Sequence, residues 1–132
     1  MSANPNLSLQ LSGAAGTDTM GPVSDTSGRL NYSQNSPNSK KITASITATG
    51  VPTGGAANDI NLTINVGAGP QGASTGTVIL DNSGTLAANA QDVVTGIGKG
   101  MIANSTITYT ASATLAATPQ GSYSYTVTFT SV

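Results

Sequence analysis

The chain has 132 residues and a mass of 12.9 kDa, the size of one domain. It has no Cys, His, Trp or Glu, and four Lys plus Arg stand against five Asp. Those absences exclude disulfide scaffolds, thiolate zinc sites, Cys or Ser–His nucleophiles, and a basic footprint for nucleic acid or anionic lipid.

What remains is mostly small. Thr (20), Ala (17), Ser (16) and Gly (16) make up 69 of the 132 residues. Net charge is only −1 and 37% of residues are hydrophobic, which sets the chain apart from charge-rich disordered sequences. With 4% aromatics, the core has to come from Ile, Val, Leu and Ala. No stretch reaches the roughly 20 apolar residues of a membrane helix. No basic and apolar leader opens the chain. The Thr, Ser, Asn and Gly content points to an extracellular or cell-surface domain, expressed without its signal peptide.

In chain order, period-two alternation dominates. Leu7, Leu9 and Leu11 alternate with Ser8 and Gln10. Residues 12–28 carry little pattern and predict a long loop. Arg29–Tyr32 predicts a short strand, and Ser36-Pro37-Asn38 a turn. Ile42, Ala44, Ile46 and Ala48 alternate with Thr and Ser. Gly50 to Gly55, with Pro52, breaks that strand. Ile60, Leu62, Ile64 and Val66 form the next row, ended by Gly67 to Gly76 with Pro70. Thr77–Asp81 predicts a strand closed by the turn Asp81-Asn82-Ser83-Gly84. Gln91–Gly96, with Val93 and Val94, predicts another. Ile107, Tyr109, Ala111, Ala113 and Leu115 form a long row before Thr118-Pro119-Gln120-Gly121. Tyr123, Tyr125, Val127 and Phe129 form the last. No twelve-residue window keeps a helical period. The reading is one all-β domain over 1–132, an antiparallel β-sandwich of about seven or eight strands, with a closed barrel as the alternative. Ile64, Tyr109 and Val127, each central to its row, are expected inside.

Little in the chain predicts chemistry. Asp18, Asp25, Asp59, Asp81 and Asp92 each stand beside turn formers, which predicts Asx turns rather than a calcium site or a glycosidase pair. Lys40-Lys41 reads as edge charge that discourages aggregation. The sharper alternative, a Lys–Asn isopeptide using Lys40, Lys41 or Lys99, lacks a Glu to promote it. Gly67-Ala68-Gly69-Pro70-Gln71-Gly72 lacks the Lys-Ser or Lys-Thr of a phosphate loop. The sequons at Asn6, Asn31, Asn61 and Asn104 are expected by chance in this composition. Rows of Thr are a weak pointer to ice or crystalline polysaccharide, because β-branched residues favour strands anyway. No enzyme activity, no cofactor and no metal are expected.

The last third carries a resemblance. Gln91-Asp92-Val93-Val94-Thr95-Gly96-Ile97, then Thr106 to Thr114, then the strand Gly121 to Val132 with its alternating aromatics, looks like the C-terminal part of secreted bacterial fimbrial and spore-coat-U-like surface proteins. The resemblance implies an immunoglobulin-like sandwich that polymerises, one subunit's N-terminal strand completing the next. Leu7, Leu9 and Leu11 would match the donor strand, and Tyr123, Tyr125, Val127 and Phe129 the terminal strand. The expected function is a structural subunit of an extracellular filament, pilus or surface layer, assembling as a homo-oligomer or homopolymer by strand complementation or edge packing. The alternatives are an adhesin or carbohydrate-binding module that binds a surface polysaccharide, and a phage or virus exterior protein. Nucleic-acid binding and membrane insertion are not expected.

Overall fold

The computed structural model describes residues 2–3, 6–11, 19–51, 53–54, 61–67, 72–80, 90–114 and 121–132. Every regular element among them is a strand. In chain order these are β1 (Ser2–Ala3), β2 (Asn6–Leu11), β3 (Thr19–Gln34), β4 (Lys40–Gly50), β5 (Asn61–Val66), β6 (Ala73–Ser74), β7 (Thr77–Leu80), β8 (Gln91–Ile97), β9 (Gly100–Thr114) and β10 (Gly121–Ser131). Setting aside the two-residue β1 and β6, eight strands form two antiparallel four-stranded sheets. One runs β3-β9-β5-β7, with β1 beside β3; the other runs β2-β10-β4-β8, with β6 beside β8.

The pairing is nested. Of the eight longer strands, the first pairs the last (β2·β10), the second the seventh (β3·β9), the third the sixth (β4·β8) and the fourth the fifth (β5·β7). Pairs β10·β4 and β9·β5 then stitch each sheet together. A long hairpin ribbon rolled on itself gives this order, the double Greek key of a jelly roll. The expected immunoglobulin-like order differs, because there the first two strands are neighbours in one sheet. Here β2 and β3 lie in different sheets. Composition and alternation are the same in both folds, so only long-range pairing separates them.

The rows expected to face inward do so. Ile42, Ala44 and Ile46, then Leu62, Ile64 and Val66, then Ile107, Tyr109 and Ala111, then Tyr123, Tyr125 and Val127 are all buried. β8 departs from alternation: Val93 and Val94 are both buried. A register shift against β4 explains this, since Ile42 pairs Val94 while Thr43 pairs Asp92, leaving Val93 as the extra residue.

The long loop expected over 12–28 is corrected for its second half, because β3 starts at Thr19; residues 12–18 lie outside the described residues. The β3·β9 register shifts at Met20/Val23, Asp25/Gly28 and Leu30/Tyr32. Each shift inserts residues and resets which face the next side chain takes. A strand bulged this often shows no period of two in its sequence. Arg29–Tyr32, expected as a separate short strand, is the end of β3. β9 likewise begins at Gly100, ahead of the expected row.

Two glycines in or beside β8 sit where a side chain would be strained or crowded. Gly96 takes φ +65° at the exposed end of β8, where L side chains are strained. Gly72 lies so close to β8 that a Cβ would stand 3.0 Å from Val94 Cγ1.

Candidate assembly site

The strand carrying Leu7, Leu9 and Leu11 lies against the last strand of the same chain. Six consecutive pairs run without a shift, including Leu7 with Tyr125, Leu9 with Tyr123 and Leu11 with Gly121. Alternation on both strands allows this: neither contains Pro or Gly between Asn6 and Leu11 or between Ser122 and Ser131. β10 is therefore a central strand, with β2 on one side and β4 on the other. Tyr123 and Tyr125 are fully buried, Val127 is buried, and Phe129 is half-buried against the core. Beyond Ser131 the ladder continues, Lys41 and Val132 exchanging both backbone hydrogen bonds at 2.9 Å.

Four lateral edges bound the two sheets, and their chemistry differs. On β3, strand β1 covers only Leu30 and Asn31. Between Asp25 and Arg29 the chain bonds to itself. The Asp25 carboxylate accepts from the Ser27 amide at 2.8 Å and from the Ser27 hydroxyl at 2.6 Å. Arg29 Nη1 donates to the carbonyls of Thr26 and Gly28 at 2.8 and 2.9 Å. Pro22 offers no donor at all. Bulges, charges and proline are the devices by which an edge resists adding a strand. On β8, strand β6 pairs with Val94 and Thr95, and Thr75 bonds the Asp92 carbonyl at 2.8 Å. β2 and β7 are the outermost strands of their sheets among the described residues on the two remaining sides.

Of the five Asp, the described residues include Asp25 and Asp92. Asp18, Asp59 and Asp81 lie outside the described residues. Asp25 makes the Asx turn just described, and the Ser27 hydroxyl and amide hold its carboxyl below the usual range, against a small opposing effect of burial. Asp92 pairs with Lys41 at 2.9 Å, with the two side chains 40% and 47% exposed. So solvated a pair is the opposite of the dry setting that amide crosslinking needs. No group of three or more potential metal-ligating side chains occurs among the described residues. Of the glycine run, residues 68–71 lie outside the described residues; Gly67 donates to the Thr106 carbonyl at 2.9 Å.

Inside the sandwich, among the described residues, three hydroxyls have no partner of good geometry: Tyr32 Oη, Ser105 Oγ and Tyr109 Oη. Burial, and secondarily the negative charge of Asp25, push the Tyr109 phenol well above its usual range. Burial raises Tyr32 as well, with the nearby Ser105 hydroxyl working against the shift. These groups belong to the core and meet no solvent.

Rows of facing hydroxyls run across both outer faces. Thr126, Thr128 and Thr130 stand directly opposite Thr47, Ser45 and Thr43. On the other sheet Thr110 opposes Thr63 and Thr108 opposes Asn65. The chain has four Tyr and one Phe. The four Tyr are buried and Phe129 is half-buried, so neither outer face presents an aromatic platform for a sugar ring.

Sequence reasoning missed Ile79, which stands on an outer face of β7 at 64% exposure. Val78, Ile79 and Leu80 run without alternation, so nothing in the residues said which of the three would face out. Comparison with known proteins returned no match, whether to family models, to curated proteins or to solved structures.

Proposed function

We propose that this protein is a non-enzymatic structural subunit of an extracellular assembly, a filament or a surface layer, whose copies join by exchange of the β2 strand. The unbroken six-residue register of β2 on β10 carries this reading. A regular ladder of uncharged residues is satisfied equally by its own β2 or by that of a neighbour, because the hydrogen bonds and side-chain rows are the same. Removal of β2 leaves one side of β10 unpaired beside Tyr123 and Tyr125, which gives the vacated groove both backbone and apolar reasons to accept a strand. The residual chemistry agrees with a passive role: charges are few, Asp25 and Arg29 bond to their own stretch of β3, and Lys41 pairs with Asp92 at the surface.

Light scattering of the full chain and of a chain lacking residues 1–11, at matched concentration, tests the proposal. Exchange predicts that the full chain forms polymers whose size grows with concentration, and that the trimmed chain forms none. A peptide with the sequence of residues 6–11 should then raise the trimmed chain's stability. A full chain that stays monomeric at every concentration overturns strand exchange.

The jelly-roll strand order favours one second reading, since viral coat and lectin domains use that architecture. By that fold analogy the chain is a phage or virus exterior protein, or a carbohydrate-binding module. The absence of an aromatic platform on the outer faces counts against the second of these.

A further inference from the structure

β7 is the shortest of the eight longer strands, and its edge differs from the guarded ones. Thr77-Val78-Ile79-Leu80 contains no charge, no Gly and no Pro, and pairs with β5 through four residues without a shift. No strand flanks its outer side among the described residues. Ile79 is the most exposed large hydrophobic residue described, at 64%, while Leu80 is buried and Val78 packs against the core.

We propose that β7 is a self-pairing edge, joining two copies antiparallel about Ile79 into one sheet that runs through both sandwiches. Charge decides the occupant. A two-fold contact sets each residue against its own kind, so a charged strand would repel itself. β3 carries Asp25 and Arg29, and β8 carries Asp92; β7 carries nothing to oppose. Geometry decides the register. Residues directly opposite in an antiparallel pair point to the same face. Placing Ile79 opposite Ile79 of the partner subunit covers both exposed side chains at once. It also sets Val78 opposite Leu80 of the partner subunit on the core side, extending the apolar interior across the junction.

Size sets the strength. Centred on Ile79, the two β7 strands overlap over only Val78, Ile79 and Leu80, which buries far less than the roughly 1,000 Å² of an independently stable interface. The contact is therefore weak and transient between free copies, and is strengthened where another contact already holds them close. It rests on the self-assembly reading above, but not on where β2 is placed.

The chain has no Cys, so Ile79→Cys carries a single thiol. Thr106→Cys, exposed on the outer face of the same sheet but away from the edge, is the comparison. Thermal unfolding checks that both variants fold. Under mild oxidation of the full-length chains, the Ile79→Cys disulfide dimer should form roughly tenfold faster or more, a proximity effect. Ile79→Lys, a change at an exposed position, should abolish lateral association of polymers while leaving their lengthwise growth. Equal crosslinking rates overturn the β7 contact and leave strand exchange standing. Fast Ile79→Cys crosslinking in a chain that never polymerises upholds the β7 contact and overturns the assembly through β2.

Discussion

Two ladders of the molecule, β2 on β10 and β3 on β9, obey different rules. The first runs through six pairs without interruption. The second shifts register three times and carries an Asx turn at Asp25 and an arginine cap from Arg29 on its outer side. A regular ladder is interchangeable, since any copy of the same strand fits it. A bulged ladder is particular: each inserted residue has to meet its own place on the partner. On the assembly proposed above, a regular ladder would serve exchange and an irregular one closure. Two of the three insertions in the second ladder fall on β3 itself, whereas the described pairings of β2 and β7 have none.

The sharpest break of that comparison is in the core. Leu30, in the bulged ladder, and Ile46, in the regular part of the other sheet, are both buried at 2% exposure or less. Leu30→Ala and Ile46→Ala should each cost about 2–5 kcal/mol in urea denaturation, the usual range for a buried aliphatic residue. A Leu30→Ala loss below about 0.5 kcal/mol would mean that β3 is held only loosely and that its bulges do not lock it.

The next largest effect separates two glycines. A Cβ at Gly28, in the bulge of β3, would stand 3.3 Å from Ile107 Cβ. At Gly50, at the end of β4, the nearest atom is Ser124 Cβ at 3.8 Å, an ordinary contact. Gly28→Val should therefore cost about 1–3 kcal/mol by overpacking, while Gly50→Ala should leave stability within about 0.5 kcal/mol of the original. Equal losses would erase the distinction between a tight ladder and an open one.

The pH dependence follows. The lowered Asp25 carboxyl favours the fold above its ordinary value near 3.9, and that contribution is lost as pH falls through the still lower folded value. The raised Tyr109 phenol works the other way: its contribution is complete below about pH 10 and is lost as pH climbs above it, where the unfolded chain ionises first. Tyr32 adds to the same alkaline loss. With no His or Cys in the chain, stability should be flat from about pH 5.5 to 8.5 and fall on both sides. Melting temperatures across pH check this. Asp25→Asn should weaken the acid limb and Tyr109→Phe the alkaline one; a steady slope through neutrality would reveal a perturbed group elsewhere.

Smallest of all is Lys41→Ala. Its ion pair with Asp92 is well exposed, so the loss should stay below about 0.5 kcal/mol and shrink further with salt.

Legibility divides along the same ladders. Where strands alternate cleanly, as in Ile42 to Ala48, Leu62 to Val66 and Tyr123 to Phe129, the residues alone show both the strand and its buried face. Where bulges reset the period, they hide the strand: Thr19 to Gly28 reads as a loop, and Val93-Val94 gives no single face. The candidate assembly site was half legible. The Leu7, Leu9 and Leu11 row announces a strand, but not that it lies against Tyr123 and Tyr125. Ile79 was invisible, because three apolar neighbours in sequence carry no sign of which one faces out.

By itself, then, the sequence determined a charge-poor, cysteine-free all-β domain and most of its buried rows, since side-chain period depends only on neighbours two residues apart. Tertiary structure decided the nesting of first strand on last, and with it the jelly-roll order in place of an immunoglobulin-like one. It also decided which strands lie outermost among the described residues and which of these carry bulges, charge or proline. Those properties arise from pairing between residues as distant as Leu7 and Tyr125. Backbone hydrogen bonds are alike at every residue, so no local pattern records which strand will supply them.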